Sequence, residues 1–211
     1  MTSWSSSYSP RPGSGLPRAA CTRRTALGTL MGILPVAACA REKDLPVYWQ
    51  APQFTLLDQE GKTFSSRDVG TRVVVANFIY TNCTDICPAL SATMRRIQDR
   101  LRREQLLGTK VLLLSFSVDP ARDTPPVLRE YAQRFSADPA SWKFLTGDPV
   151  YVQQVVVQGF KLGVQPSTQI IHSDRFALID GRGSIRALPD GATLNVDQLV
   201  RDVRRLALSG T

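Results

Sequence analysis

Residues 72–88 read RVVVANFIYTNCTDICP. The first part of this stretch is almost continuously apolar and rich in β-branched side chains, a pattern typical of a central strand covered on both faces. A short polar segment follows, and from Pro88 onward apolar residues recur at helical spacing with arginines on the opposite side. The stretch therefore predicts a strand, a turn and a helix, with Cys83 and Cys87 at the point where the strand gives way to the helix.

The sequence on either side of this unit predicts strands that alternate with helices. The patterns predict a hairpin at 54–64, strands at 111–118 and 142–145, helices after 123–126 and at 148–160, a second hairpin at 176–187 and a final helix at 195–208. This order predicts an α/β, thioredoxin-like mixed sheet with helices on both faces and an added N-terminal β-hairpin. Cys83 and Asp119 both follow the carboxyl ends of strands, where open α/β sheets place their chemistry, so they are candidates for one shared site.

Residues 1–38 have the features of a targeting segment and not of a folded domain. They contain four arginines and no acidic residue, and their last part, 25–38, is an apolar stretch too short to span a bilayer comfortably. The sequence at 36–39, Val-Ala-Ala-Cys, is similar to a bacterial lipobox, in which the cysteine is diacylated and becomes the new N-terminus. Residues 22–27 also resemble a twin-arginine export signal. The alternative is that Cys39 is an ordinary apolar residue in an uncleaved anchor.

These features predict a lipoprotein-type signal peptide at 1–38, a tether at 39–50 with Cys39 as the lipid attachment site, and a folded domain at 51–211. The domain is expected to face the periplasm or the cell exterior, anchored by lipid to a membrane of the bacterial cell envelope. The formal charge is +8, and loss of the four leader arginines leaves 22 basic and 18 acidic residues. Because no basic stripe is interleaved with aromatic residues, the sequence predicts no nucleic-acid partner.

Cys83 and Cys87 are the two thiols that remain if Cys21 is removed with the signal peptide and Cys39 is lipidated. A pair at this position indicates a metal site, redox chemistry or a structural disulfide. If the segment is helical, four residues bring both sulfurs to nearly one face, and the helix N-terminus favours thiolate. A purely structural disulfide is disfavoured, because bridging residues four apart tends to be strained and closes too short a loop to stabilise the fold much.

The remaining candidate residues are ambiguous on their own. His172 is the single histidine of the chain, and a lone histidine is more often a surface or hydrogen-bonded residue than a ligand. Asp119 is either a residue that orients His172 or tunes the thiols, or a turn-capping aspartate before proline. Asp85 is a candidate helix cap. Met94 fits the apolar helix face better than the role of a copper ligand.

Four blocks of sequence, at 78–88, 115–125, 142–147 and 172–180, together resemble the Sco/SenC family, and the resemblance covers roughly residues 47 to 208. It implies a membrane-tethered copper protein with a thioredoxin-like fold, implicated in assembling the dinuclear copper centre of cytochrome c oxidase. The family's ligands are the two cysteines of a C-x-x-x-C-P motif and a downstream histidine, which correspond to Cys83, Cys87 and His172. Many members have proline where this chain has Thr84, which is not a ligand position.

The chemistry of these side chains agrees with the resemblance. Two thiolates and one imidazole suit Cu(I) and also accept Cu(II), whereas a structural zinc site would require a fourth protein ligand. The resulting hypothesis is a copper chaperone that delivers copper to the copper-receiving subunit of the oxidase, and another chaperone or a thioredoxin-like reductant is a further candidate partner. The alternative is an enzyme, a thiol–disulfide oxidoreductase that reduces the subunit's cysteines. The two roles can coexist, because both need reduced thiols, and Cys83 and Cys87 are also the candidate redox-active disulfide.

Overall fold

The computed structural model describes residues 44–162 and 174–209, all of which lie within one compact unit, Lys43–Thr211. This part of the chain contains two sheets. The strands, in chain order, are β1 (Thr55–Leu57), β2 (Thr63–Ser65), β3 (Val73–Ile79), β4 (Val111–Ser117), β5 (Trp142–Leu145), β6 (Phe176–Ile179) and β7 (Ile185–Ala187). The first two strands form the predicted hairpin, and the other five form a mixed sheet in the order β5-β4-β3-β6-β7.

The centre of the mixed sheet is β3, the strand predicted from the opening stretch. All seven of its residues are buried, because it lies between β4 and β6 and both of its faces are covered. Strands β3, β4 and β5 are parallel to one another, β6 is antiparallel to β3, and β7 is antiparallel to β6. The carboxyl ends of β3 and β4 therefore lie side by side at the same end of the sheet, as the sequence predicts.

Helices cover both faces of this sheet. The helices are α1 (Ile86–Arg103), α2 (Pro125–Arg134), α3 (Pro149–Gln153) and α4 (Val196–Leu208). Apolar residues of α1, α2 and α4 form a core with one face, whereas α3 and the β1–β2 hairpin pack on the other. The helix predicted at 148–160 is regular only as far as Gln153 and continues as a π-helix, Gln154–Gly159, which brings the N–H of Phe160 to the carbonyl of Val155.

Side chains and backbone outside the strands cover both edges of the mixed sheet. Along β5, the side-chain amide of Gln59 donates to the carbonyl of Trp142 and accepts from the N–H of Phe144, as a neighbouring strand would. Gln59 is buried, so this edge offers few free backbone groups to another chain.

Along β7, residues 45–51, here called the edge strap, occupy the outer edge. Three backbone hydrogen bonds join residues 48–51 of the edge strap to residues 183–185. The Arg186 guanidinium donates to the carbonyls of Leu45 and Pro46 and pairs with Asp180. Trp49 donates its indole N–H to the carbonyl of Gly159, and Lys161 lies 4.3 Å from the centre of its ring. Much of the predicted tether is thus bonded to the domain.

The rest of the predicted N-terminal region, including Cys39 and the signal peptide at 1–38, lies outside the described residues. No helix in the described part of the chain is both long enough and apolar enough to cross a membrane.

Candidate metal centre

A tight turn carries the first cysteine from the end of β3 to the start of α1. The N–H of Cys83 donates to the carbonyl of Tyr80 at 3.2 Å, so residues 80–83 form a turn with Thr81 and Asn82 at its centre. Helix α1 begins at Ile86, which places Cys83 before the helix and Cys87 in its first turn. Asp85 precedes the helix but makes no capping hydrogen bond through its side chain, so the structure does not show the cap considered for it from the sequence.

The Cys83 sulfur occupies the position that a helix-capping side chain usually takes. The backbone N–H of Cys87 donates to it at 3.3 Å, and both cysteines are free thiols. Cys83 is 6% exposed and Cys87 is 3% exposed, so both cysteines are buried and have little contact with solvent. Two neighbouring thiols at the end of a helix can bind one soft metal ion together or form a disulfide.

The two thiols differ in acidity. Burial raises the pKa of Cys83, but hydrogen bonds from the Cys87 side chain, from the backbone N–H groups of Cys87 and Asp85 and from the Tyr80 hydroxyl outweigh it, so the net pKa is lowered. Burial together with the hydrogen bond to Cys83 raises the pKa of Cys87 to about 12. Burial and the hydrogen bond that the Tyr80 hydroxyl makes to Cys83 raise the pKa of this hydroxyl to about 12. The site therefore favours one thiolate, on Cys83.

The floor beneath the cysteines is apolar, with one buried polar pair. Leu90 and Met94 of α1 are 2% and 0% exposed and belong to the same core cluster as the cysteines, in agreement with the prediction that Met94 is a core residue. The hydroxyls of Ser91 and Tyr131 lie 3.0 Å apart, and burial raises the pKa of Tyr131 to about 12. Water has little access to the sulfurs from this side.

The structure brings some predicted residues to the site and leaves others untested. His172 lies outside the described residues, so its place relative to the cysteines stays a prediction. In the two described ranges, no three histidine, cysteine, aspartate or glutamate residues are grouped closely enough to hold a metal ion. Asp119 lies at the end of β4, as expected, but its carboxylate pairs with Arg122 at 3.2 Å, a residue that is largely exposed.

A different aspartate, Asp123, contacts the turn formed by residues 80–83, here called the cysteine turn. Its buried carboxylate accepts hydrogen bonds from the backbone N–H and the hydroxyl of Thr81 and from the hydroxyl of Ser117. Burial raises the pKa of Asp123 against the opposing effect of these hydrogen bonds. Sequence reasoning considered Asp123 only at the start of α2, as a candidate helix cap, and not as a residue of the site. The sequence feature that could have indicated this role is a pair of hydroxyl residues, Thr81 and Ser117, near the ends of adjacent strands.

Comparison with known proteins identifies the group to which this geometry belongs. The family model described as SCO1/SenC matches residues 47–208. The chain belongs to the SCO1/SenC family. A relative from Bacillus subtilis, named as a SCO1 protein homolog, is 31% identical over 186 residues, which cover 84% of this chain and 94% of the relative. The resemblance inferred from the four sequence blocks is therefore confirmed.

Solved structures of Sco proteins share the fold. A SCO1/SenC family lipoprotein from Bacillus anthracis has a TM-score of 0.69 at 32% identity, over 75% of this chain and 95% of the other. BsSco, a member of the Sco family of cytochrome c oxidase assembly proteins in which a disulfide switch is described, has a TM-score of 0.69 at 30% identity. The match covers 79% of this chain and 98% of the other. Copper-bound yeast Sco1 has a TM-score of 0.60 at 26% identity over 74% and 90%. The expected thioredoxin-like fold is confirmed.

Proposed function

We propose that this SCO1/SenC protein binds copper through Cys83, Cys87 and His172 and delivers it to the copper-receiving subunit of cytochrome c oxidase. The observation that carries the proposal is the pair of free, neighbouring thiols at the start of α1, one of which favours the thiolate form. Copper-bound yeast Sco1 and the oxidase-assembly description of BsSco support the choice of metal and process.

The chemistry of the cysteine pair fits copper well. Thiolates are soft ligands that suit Cu(I), and an added imidazole also suits Cu(II). Cys87 has a pKa of about 12 in the free protein, so it is protonated at neutral pH and must lose a proton when it binds metal. Copper affinity should consequently fall as the solution becomes more acidic. A set of three protein ligands also leaves a position at which a ligand from the receiving protein can enter.

The proposed location follows from the N-terminal sequence. Cys39 follows the small residues of a lipobox-like sequence, and the Bacillus anthracis structure is described as a lipoprotein. We infer that Cys39 carries the lipid and that the domain faces the periplasm or the cell exterior, at the membrane surface where the oxidase subunit is exposed.

A thiol–disulfide reductase acting on the subunit's cysteines is the second candidate. The unequal pKa values of Cys83 and Cys87 favour it, because a reductase needs one thiolate to attack a substrate disulfide and a second thiol to release the product. In that reaction the Cys83 thiolate forms a mixed disulfide with the substrate, and Cys87 then displaces the substrate thiol. The protein ends as the Cys83–Cys87 disulfide, and both electrons have passed to the substrate.

A copper titration of the reduced full chain in detergent tests the proposal. Cu(I), supplied as a complex with a chromophoric chelator, should pass to the protein with one ion bound per chain. The Cys87→Ser and His172→Ala variants should each bind more weakly, by about 10-fold or more, because each loses a metal ligand. Met94→Leu is the matched control, since it replaces a soft side chain that belongs to the core and should leave the affinity unchanged.

The same preparations separate the two candidates. Tight copper binding with negligible turnover of a disulfide substrate supports the chaperone. Rapid turnover by His172→Ala, together with weak copper binding by the unmodified chain, supports the reductase and contradicts the copper proposal. Unchanged copper affinity in His172→Ala would contradict the three-ligand set.

A further inference from the structure

Thr81, one of the two central residues of the cysteine turn, is bound by Asp123 from the loop after β4. Thr81 follows Tyr80 in the turn that the hydrogen bond from Cys83 closes. The hydroxyl of Thr81 donates to Asp123 Oδ1 at 2.6 Å, and its backbone N–H lies 3.2 and 3.3 Å from the two carboxylate oxygens. Because both the backbone and the side chain of Thr81 are bound, the turn has little freedom to rotate.

Asp123 is itself fixed to β4 and to the loop that follows it. The Ser117 hydroxyl, at the end of β4, donates to Asp123 Oδ2 at 2.6 Å, and the N–H of Asp119 donates to the Ser117 oxygen at 3.1 Å. The backbone N–H of Asp123 donates to the carbonyl of Asp119 at 2.9 Å. The side chain is fully buried. The carboxylate therefore links the carboxyl ends of β3 and β4, next to the cysteines.

We propose that Asp123 is a positioning residue of the metal centre: by holding Thr81, it fixes the turn that carries Cys83 and so presets the place of this sulfur relative to Cys87 before metal binds. The inference rests on the proposed function, in which these two sulfurs bind copper. Asp123 does not contact either sulfur in the described hydrogen bonds. Its positioning role acts through Thr81 and the Tyr80–Cys83 turn. Its negative charge also acts directly on Cys87, and substitutions at Thr81, which keep that charge, separate positioning from this effect.

The donor set explains why a carboxylate is needed. The groups that hydrogen-bond to the Asp123 carboxylate are N–H and O–H donors, and short bonds to a carboxylate are stronger than bonds between neutral groups. An asparagine has the same shape but one acceptor oxygen, so one of the hydroxyls of Thr81 and Ser117 would have to turn from donating to accepting from its NH₂ group. The Asp123→Asn variant should therefore release Thr81 or Ser117, and the turn would have to be ordered again whenever metal binds.

Two pairs of variants separate positioning from general stability. Asp138 is the control for Asp123, because its carboxylate also accepts from a backbone N–H, of Ala140, and from a hydroxyl, of Ser141. It is partly exposed, also pairs with Arg102, and lies before β5 at the end of the parallel strands opposite to the cysteines. At the other end of the contact, Thr81→Val removes the hydroxyl, whereas Thr81→Ser retains it. Thr81→Ser is expected to rescue what Thr81→Val loses.

The test measures two properties of the reduced full chain in detergent. The first is Cu(I) affinity by competition with a chromophoric chelator. The second, in the absence of metal and at one fixed pH, is the ratio of the iodoacetamide labelling rates of Cys83 and Cys87, resolved by fragmentation of the tryptic peptide 73–95. Asp123→Asn and Thr81→Val should weaken Cu(I) binding by about 10- to 100-fold and change the labelling ratio. Asp138→Asn and Thr81→Ser should leave both unchanged.

Three outcomes would overturn the inference. They are an unchanged labelling ratio in both Asp123→Asn and Thr81→Val, equal effects of Asp138→Asn and Asp123→Asn, and failure of Thr81→Ser to rescue. If Asp123→Asn does not fold, the two Thr81 variants decide. If the unmodified chain does not bind Cu(I), the proposed function fails, but the labelling ratio still tests whether Asp123 positions Cys83.

Discussion

Cys83 and Cys87 have the same side chain but opposite surroundings. The Cys83 sulfur accepts hydrogen bonds at the N-terminal end of α1, whereas Cys87 lies deeper against the apolar core and donates to Cys83. Negative charge at the first sulfur is stabilised by these donors and by the positive end of the helix. Metal binding or redox chemistry at this pair is therefore expected to start at Cys83.

This asymmetry predicts unequal labelling of the two thiols in the metal-free protein. Iodoacetamide should modify Cys83 faster than Cys87 at neutral pH, because alkylation requires thiolate and the pKa of Cys83 is lowered, while that of Cys87 is raised to about 12. Thiolate increases as pH rises through a thiol's pKa, so labelling of Cys83 should reach its plateau at a lower pH than an ordinary cysteine. Mass spectrometry of the labelled peptide measures both rates, and preferential modification of Cys87 would contradict the assignment.

The sequence predicted the position of the cysteines but not which aspartate supports them. Asp119 and Asp123 lie in one loop, and Asp119 lies only two residues beyond β4, so sequence order favours Asp119. In the structure, a short turn directs Asp123 inward to Thr81 and Ser117, while Asp119 pairs with Arg122. The choice between them depends on the burial of each side chain by residues far away in the chain, which local patterns do not contain.

At the level of elements, prediction succeeded where a periodic pattern matched one regular structure. Strand β3 and helix α1 are examples, because their apolar residues follow the period that burial on two faces or on one face demands. The segment after α3 shows the limit. Its apolar residues also follow a helical pattern, but the chain changes to a π-helix at Gln154, and the added residue per turn depends on packing against the sheet.

In the loop before α4, Gly191 packs closely against Leu90 of α1 and the backbone of Asp174, a contact that only the folded structure shows. A Cβ atom at Gly191 would lie 2.3 Å from Leu90 Cδ2 and 2.4 Å from the carbonyl oxygen of Asp174. Gly191→Ala should therefore force this loop away from α1 and lower the free energy of unfolding by about 1–3 kcal/mol. Denaturant unfolding measures the change. Ala192→Ser, at an exposed neighbouring position, is the control and should have little effect, and an equally stable Gly191→Ala would show that the loop moves freely.

At the level of the whole molecule, the edge strap completes the sheet. A chain that begins at residue 52 would lose the three backbone hydrogen bonds to residues 183–185 and the contacts of Arg186 with the strap. The three backbone bonds alone, at about 1 kcal/mol each, should make its free energy of unfolding lower by about 3 kcal/mol than that of a chain beginning at residue 44. The exposed edge of β7 should also promote self-association.

Thermal unfolding and sedimentation velocity of the two truncated chains test this expectation. Arg186→Ala in the longer chain should produce a smaller loss of stability, because the backbone bonds of the strap remain. Equal stability and equal monomer content in both chains would mean that residues 45–51 serve only as a tether.

The alternation of strands and helices along the sequence is enough to predict the mixed sheet, because parallel neighbours need a helix between them and the hairpins do not. The pairing of the edge strap with β7 could not be predicted in this way. Residues 45–51 lack strand periodicity, and their partner lies more than a hundred residues further along the chain.

The two tryptophans in the described part of the chain lie in very different surroundings and can serve there as optical reporters. Trp142 is fully buried, stacks on Phe144 and donates its indole N–H to Ser115. Trp49 belongs to the edge strap and is half-buried beneath Lys161. Detachment of the strap would shift the fluorescence of Trp49 to longer wavelength and leave that of Trp142 unchanged, whereas unfolding would shift both. Emission spectra can therefore distinguish a detached edge strap from an unfolded domain without any added label.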